Sequence, residues 1–335
     1  MGRSLGRETC KPVNNLTQAI KERISKKVFF EVRSYFRMRK LAQYPFSEDP
    51  LKYILSKYKK ECIKAYFFSN HFAKKQEVYN ELYKYFNDVF TSSLSEGLFD
   101  FNGLIVPKPK EESSKYALIQ ELLDFLGYYI DGDIEFWDAV SIEGPYEYGD
   151  VRVSVGDIVI DCGANMGLFS AAASYKGANV YAFEPFEVII DRYLTKTAEN
   201  NKNISICKHA LSNEEKQTEF IHNSNYITIG GLTDFAIPTT LSWGEKETVT
   251  VQAIPLDTWV EKNNIPRVDF IKADIEGAER YMLMGAKKVL KEFAPKIAIC
   301  TYHLPDDSKV FREIILDANP NYIIEERFLK MYAYV

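Results

Sequence analysis

The sequence has little of what marks several protein classes. It contains no long apolar run. Stretches such as Val28–Phe30 and Ile158–Ile160 end after three residues, far short of the ~20 that a membrane-spanning helix needs. No apolar core of a signal peptide follows Met1, so no leader is expected. The five cysteines (Cys10, Cys62, Cys162, Cys207, Cys300) are odd in number, widely spaced and form no C-x-x-C pair. A disulfide framework is thereby excluded, and a reducing, cytoplasmic setting is expected. Histidine is scarce, with four in 335 residues, and no fixed-period repeat is visible. Composition excludes disorder: 46% of residues are hydrophobic and 27% charged, as in ordinary globular chains.

Charge is unevenly spread. Residues 1–40 carry eleven Lys/Arg against Glu8, Glu22 and Glu31, a net +8, which leaves −13 for the rest of a chain whose total is −5. This basic arm suits three roles: a solvated helix face, a membrane-surface contact through residues 20–40 around Phe29, Phe30 and Phe36, or an anionic docking partner.

Periodicity divides the chain near residue 130. Residues 14–128 read as helical, with Ile20, Ile24, Val28, Val32 and Tyr35 on one face and further helices around Ile54–Tyr66, Val78–Val89 and Ser113–Leu126. Leu94–Pro109 reads as a connection. Residues 1–130 are thus expected to form a helical N-terminal region serving as substrate cap, dimerisation element or docking device. Residues 131–335 form a second domain, opened by a hairpin region over Phe136–Val155. From Gly156 strands are expected at Ile158–Cys162, Val180–Glu184, Ser205–Ala210, Val268–Asp274 and Ile297–Tyr302. Helices are expected at Met166–Tyr175, Val188–Asn200, Ala278–Phe293 and Ser308–Ala318. This alternation predicts an α/β fold with a mostly parallel sheet. Gln217–His222 and Thr248–Ile254 read as an extra antiparallel pair, and Tyr322–Glu326 with Met331–Val335 as a terminal antiparallel hairpin.

The most informative stretch is Val159–Ser170, where a strand runs into Asp161, then a glycine turn, then a helix. Gly163 and Gly167 are spaced G-x-x-x-G, unlike the dinucleotide fingerprint G-x-G-x-x-G, in which helix N–H groups hold a pyrophosphate. An Asp at the strand end suits a cationic or hydrogen-bond-donating ligand group. Glu184 closes the next strand 23 residues on, near the ~20-residue offset at which an acid takes ribose hydroxyls. A nucleoside with a positively charged tail and no phosphate, S-adenosylmethionine, fits this pair. Taken singly, Asp161 could instead cap a helix and Glu184 could be a solvated strand end.

Five ordered motifs carry a family resemblance: Asp161-Cys-Gly-Ala-Asn-Met-Gly167, Phe183-Glu184-Pro185, Ala210-Leu211-Ser212, Leu256-Asp257 and Ile271–Glu279. Together with Tyr302–Asp307 and Ile142–Glu147 they resemble FkbM-type methyltransferases over about residues 134–335. The resemblance implies a class I (Rossmann-like) S-adenosylmethionine-dependent methyltransferase with a seven-stranded sheet and reversed terminal hairpin. It also implies O-methylation of a hydroxyl, commonly on a carbohydrate or nucleotide-activated sugar. The cofactor set expected from turn and resemblance is Asp161, Gly163, Ala164, Asn165, Gly167, Ser170, Glu184, Pro185, Ala210 and Asp274.

For chemistry, His303 at the end of the fifth strand is ranked first as general base, because an unperturbed imidazole titrates near neutrality. Asp274 and Lys272 follow, on one face of the fourth strand, with Lys272 requiring a depressed pKa. A histidine that only bonds a backbone group is the alternative. Tyr146, Glu276, Tyr226 and Trp243 are expected at the substrate, the last two on a flexible insert Asn223–Gly244. Asp274, Glu276, His303, Asp306 and Asp307 could hold Mg²⁺ or Mn²⁺, but no ligand spacing supports a metal. A small-molecule or glycan acceptor is expected, with no nucleic acid and with a homodimer left open. Two other readings compete: an RNA or protein methyltransferase docking through the basic arm, and a non-catalytic S-adenosylmethionine-binding scaffold. The absence of an Asn/Asp-Pro-Pro-Tyr motif counts against methylation of base amino groups.

Overall fold

A computed structural model describes parts of residues 77–121 and residues 143–224, 226–234 and 245–335. Its compact units are Met1–Leu82 and Tyr83–Val335, so the division by contacts precedes the 130/131 boundary expected from composition. The basic arm, the helices expected before residue 77, Trp243 and the side chain of Tyr226 lie outside the described residues.

The second unit begins with a short hairpin, β1 (Leu98–Phe101) and β2 (Leu104–Pro107). This corrects the expected connection at Leu94–Pro109. Leu104 and Val106 are buried, because alternate strand residues face the core. Described residues between Ser114 and Glu121 are helical. The expected hairpin at Phe136–Val155 reduces, over its described part, to one isolated bridge between Tyr148 and Val151.

The sheet then builds outward from its centre. β3 (Ile158–Cys162) leads through α1 (Leu168–Tyr175) to β4 (Asn179–Phe183). The next crossover is α2 (Glu187–Ile189), a π segment (Ile190–Leu194) and α3 (Thr195–Asn200), where one helix was expected. β5 (Ile204–Cys207) completes that half. A second, four-stranded sheet follows: β6 (Ala210–Leu211), β7 (Lys216–Asn223), β8 (Tyr226–Leu232) and β9 (Lys246–Ile254), in the order β6-β9-β7-β8. The expected pair is β7 with β9. β8 corrects the reading of its segment as a loop: Gly230 and Gly231 weaken the strand signal, but register with Phe220–His222 supplies the pairing.

The chain returns through α4 (Leu256–Lys262) to β10 (Phe270–Ala273), on the far side of β3. α5 (Glu279–Met284), α6 (Lys287–Glu292), β11 (Lys296–Cys300) and α7 (Asp307–Ala318) follow, then β12 (Ile323–Arg327) and β13 (Lys330–Tyr334). The single helix expected over Ala278–Phe293 breaks at Gly285. A Cβ there would lie 2.1 Å from the Ser212 carbonyl oxygen. Asp257 then accepts the Lys288 and Val289 N–H groups, both at 2.9 Å, and starts a new helix from outside.

The large sheet has the order β12-β13-β11-β10-β3-β4-β5. Its inner strands are parallel and the terminal hairpin is antiparallel. This is the expected seven-stranded, mostly parallel sheet. The chain leaves β3 in opposite directions toward β4 and β10, so a crevice opens at their carboxyl ends, the usual ligand position in open α/β sheets.

Candidate active site

The turn after β3 is shaped by close approach. Gly163 has φ +78°, and a Cβ on it would sit 2.1 Å from the Asp274 carbonyl oxygen. Gly167, φ +87°, opens α1 against Leu194 and Thr197. Both positions need the left-handed region that glycine adopts freely. Below the turn Asp161 is fully buried. It accepts a 2.6 Å hydrogen bond from Ser170 Oγ and pairs with Lys272 Nζ at 3.1 Å. Lys272 lies directly across from Asp161 in the β3/β10 register. Its ammonium also donates to the carbonyls of Gly163 (2.7 Å) and Cys162 (3.3 Å). Burial alone would lower the Lys272 pKa, but Asp161 and Asp274 outweigh it and raise it.

Above the turn lies a cavity of about 780 Å³, within the range of small-molecule sites. Gly163, Ala164, Asn165, Glu184, Pro185, Ala210, Asp274, Glu276 and Tyr146, all named above as expected cofactor or acceptor contacts, line it. Asp161, Gly167 and Ser170, also expected at the cofactor, do not line it and instead support the turn from beneath. Buried ion pairs and ligand contacts leave the same mark in sequence, because both place an acid at a strand end.

Glu184 accepts backbone N–H bonds from Asn165 and Phe186, each at 3.0 Å. Burial nevertheless pushes its pKa up to about 7. Asn165 has φ +51° and donates through Nδ2 to the Thr228 carbonyl at 2.9 Å. Its Oδ1 is buried without a hydrogen-bond partner, as is Nδ1 of His209. Phe186, His209, Leu211 and Thr228 also line this end of the site and were missed. Only His209 had a readable signal, as a scarce residue beside the Ala210 motif.

Across the cavity, Asp274 Oδ2 accepts the Tyr146 hydroxyl at 2.6 Å and Oδ1 accepts that of Tyr302 at 3.4 Å. Burial and the neighbouring Asp274 raise both phenol pKa values, so these hydroxyls stay donors. Behind this group sits His303, whose side chain is 3% exposed. Its Nδ1 is 2.9 Å from Glu279 Oε1, and its Nε2 is 3.6 Å from both Asp274 Oδ1 and Glu276 Oε2. Burial would depress the imidazole pKa, but the surrounding carboxylates, Glu279 foremost, raise it to about 9. A ring already protonated at neutral pH does not accept a proton, and His303 is absent from the cavity wall. The direction of the shift disfavours His303, ranked first above, as general base, and the raised pKa of Lys272 disfavours it in the same way. Asp274, Glu279 and His303 offer ligand atoms within 4.8 Å of one another, close enough for a metal. Asp306 and Asp307 turn instead to Arg280, at 2.7 and 2.6 Å.

A sequence profile of the FkbM methyltransferase domain matches residues 161–332, just over half of the chain. The hexuronic acid methyltransferase AglP of Haloferax volcanii is 25% identical over 162 residues, 48% of this chain and 62% of that protein. The chain thus covers less than two thirds of that relative. Among solved structures, methyltransferase FkbM from Methylobacillus flagellatus is 20% identical with a TM-score of 0.41, over 77% of this chain and 59% of that one. SMU.1697c from Streptococcus mutans, solved with SAH, is 14% identical with a TM-score of 0.32, over 55% and 91%. No helix among the described residues is long and apolar enough to cross a membrane. By the extent of the profile match, on a sheet of the expected order with its cavity at the strand ends, this chain belongs to the FkbM methyltransferase family.

Proposed function

We propose that the enzyme methylates a hydroxyl of a carbohydrate, free or nucleotide-activated, with S-adenosylmethionine as donor and Glu276 as general base. The observation that carries this reading is the two-ended cavity, with unpaired acceptors at one end and a tyrosine-bound carboxylate at the other. The buried, unpartnered Asn165 Oδ1 and His209 Nδ1 fit the hydrogen-bond donors of an adenosine. Glu184 keeps lone pairs free for ribose hydroxyls, and Asp274 faces the cationic tail.

When bound, the donor supplies a methyl group on a sulfonium, from which an oxygen nucleophile displaces a neutral thioether. The chain's own residues position and deprotonate. Tyr146 and Tyr302 hold Asp274 by its two oxygens. Glu276 lines the cavity, and burial lifts its pKa to about 7 while the nearby His303 cation opposes that rise. A carboxylate tuned near neutrality is matched to taking a hydroxyl proton. The cation behind Asp274 and Glu276 is a positioning group, held in turn by Glu279. The relative named for hexuronic acid supports a sugar acceptor at its modest identity.

Calorimetry with S-adenosylmethionine and S-adenosylhomocysteine, followed by mass spectrometry of products from a panel of glycosides and nucleotide sugars, tests the reading. Glu184→Gln should weaken donor affinity about tenfold, the worth of one charge-assisted hydrogen bond. Undiminished affinity would remove the donor assignment, and a panel without any methylated sugar would remove the acceptor class.

A further inference from the structure

β8 is the edge strand of the second sheet and pairs with β7 alone. Residues 227–232 line the cavity without a gap. Strand side chains alternate between two faces, so one face alone would contribute every other residue. The unbroken run shows that β8 turns its edge, with the main-chain N–H and C=O groups, toward the cavity.

The register fixes which of these groups are open. Thr233 N–H donates to the Glu219 carbonyl at 2.9 Å, so Thr233 directs its main-chain groups toward β7. Leu232 stands opposite Phe220, Gly231 opposite Ile221 and Gly230 opposite His222. Along an antiparallel ladder the directions alternate residue by residue. Gly231 therefore faces β7, while Leu232 and Gly230 face away from it. Thr228 follows the same alternation: its carbonyl accepts Asn165 Nδ2, in the turn after β3, at 2.9 Å. No described residue bonds to the main-chain N–H or C=O of Gly230 or Leu232.

The open groups lie beside the acceptor end of the cavity. A Cβ on Gly231 would stand 3.3 Å from Glu276 Cβ, so this part of β8 borders the base proposed above, whereas Thr228 borders the donor end. Adjacent glycines leave no side chain over the edge, which is where strand glycine admits a ligand to the backbone. A Cβ on Gly230 would meet the Phe220 ring at 2.5 Å, so that face is filled and the edge alone is accessible. The edge is also short. Asn165 already takes the Thr228 carbonyl, and what is left of residues 227–232 suits one ring better than an added peptide strand.

Resting on the carbohydrate reading above, we propose that the open edge at Gly230 binds the acceptor through two hydroxyls on neighbouring ring carbons, beside the hydroxyl that is methylated. The N–H and C=O of one strand residue stand side by side and point the same way, as vicinal hydroxyls do on a pyranose. The N–H donates to one hydroxyl and the carbonyl accepts from the next. The substrate class is thus a pyranoside with a free vicinal diol next to the methylated position.

A side-chain substitution does not remove a main-chain contact, so the test uses isotope labels and substrate analogues on the full chain. Ile229-Gly230 is the one Ile-Gly pair in the sequence. Isoleucine labelled at its carbonyl carbon, with glycine labelled at its amide nitrogen, therefore isolates the Gly230 N–H as a single NMR resonance. The probes are methyl glucoside, galactoside and mannoside, their nucleotide-activated forms and their monodeoxy analogues. With S-adenosylhomocysteine bound, a sugar that is a substrate should shift this resonance downfield and slow its hydrogen exchange. Removing either of two neighbouring hydroxyls should lower kcat/KM about tenfold, the scale of one hydrogen bond, and one of these analogues should no longer shift Gly230. A methylated sugar that leaves Gly230 unmoved would overturn the inference and leave the carbohydrate reading standing. So would full tolerance of every deoxy analogue that keeps the methylated hydroxyl, or a shift completed by S-adenosylhomocysteine alone. Methylation of a serine- or threonine-containing peptide with no sugar methylated would overturn both, as would no methylated product at all.

Discussion

His303 sits in an unusually anionic setting for a histidine. Three carboxylates face an imidazole whose side chain is 3% exposed, and its pKa rises from 6.5 to about 9. At 1.36 kcal/mol per unit, a rise of that size stabilises the folded protein by about 3 kcal/mol. Because the folded pKa lies above the unfolded one, this stabilisation is complete below pH 6.5. It fades as pH rises through about 9, where the folded ring loses its proton. The chain has four histidines, so NMR with labelled histidine resolves each titration, and the resonance lost in His303→Gln identifies the ring. The midpoint should fall near 9, and Glu279→Gln should lower it by about one unit or more. The stability gap between wild type and His303→Gln should shrink between pH 6.5 and 9.5. A His303 midpoint at or below 6.5, or a gap independent of pH, would refute the imidazolium and restore His303 as a candidate base.

Three further outcomes follow from the same geometry. Turnover should rise with pH through about 7 as Glu276 ionises, and Glu276→Gln should lower kcat at least about a hundredfold and abolish that limb of the profile. Asp161→Asn should lower thermal stability by roughly 3–5 kcal/mol, read by calorimetric melting, because it strands the buried Lys272 ammonium. Gly163→Ala should cost about 2–4 kcal/mol and abolish donor binding, since its Cβ meets the Asp274 carbonyl at 2.1 Å in a left-handed backbone.

Local pattern carried the sheet. β3, β10 and β11 are short apolar runs with no exposed residue, and such runs separated by helical periods have few other solutions. The terminal hairpin was legible for a similar reason, two alternating runs around a tight turn. Elements with contradictory local signals were missed. β8 contains two glycines that weaken its strand signal even though its partner β7 lies just before it in the chain, and the break at Gly285 is imposed by Ser212 and Asp257, more than 25 residues away.

The same division runs through the site. The glycine turn, Glu184, Asp274 and Glu276 were legible as cavity residues because motif spacing reports the ends of adjacent parallel strands, where the cavity opens. Sequence by itself thus determined the fold class, the family and the edge of the sheet at which the cavity opens. Tertiary structure decided the charge states. Asp161 serves as counter-ion to Lys272, which stands across from it in the sheet. Protonated His303 is favoured because Glu279, Asp274 and Glu276 converge on it. A pKa depends on burial and on charges a few ångströms away, and neither distance is written in the order of the residues.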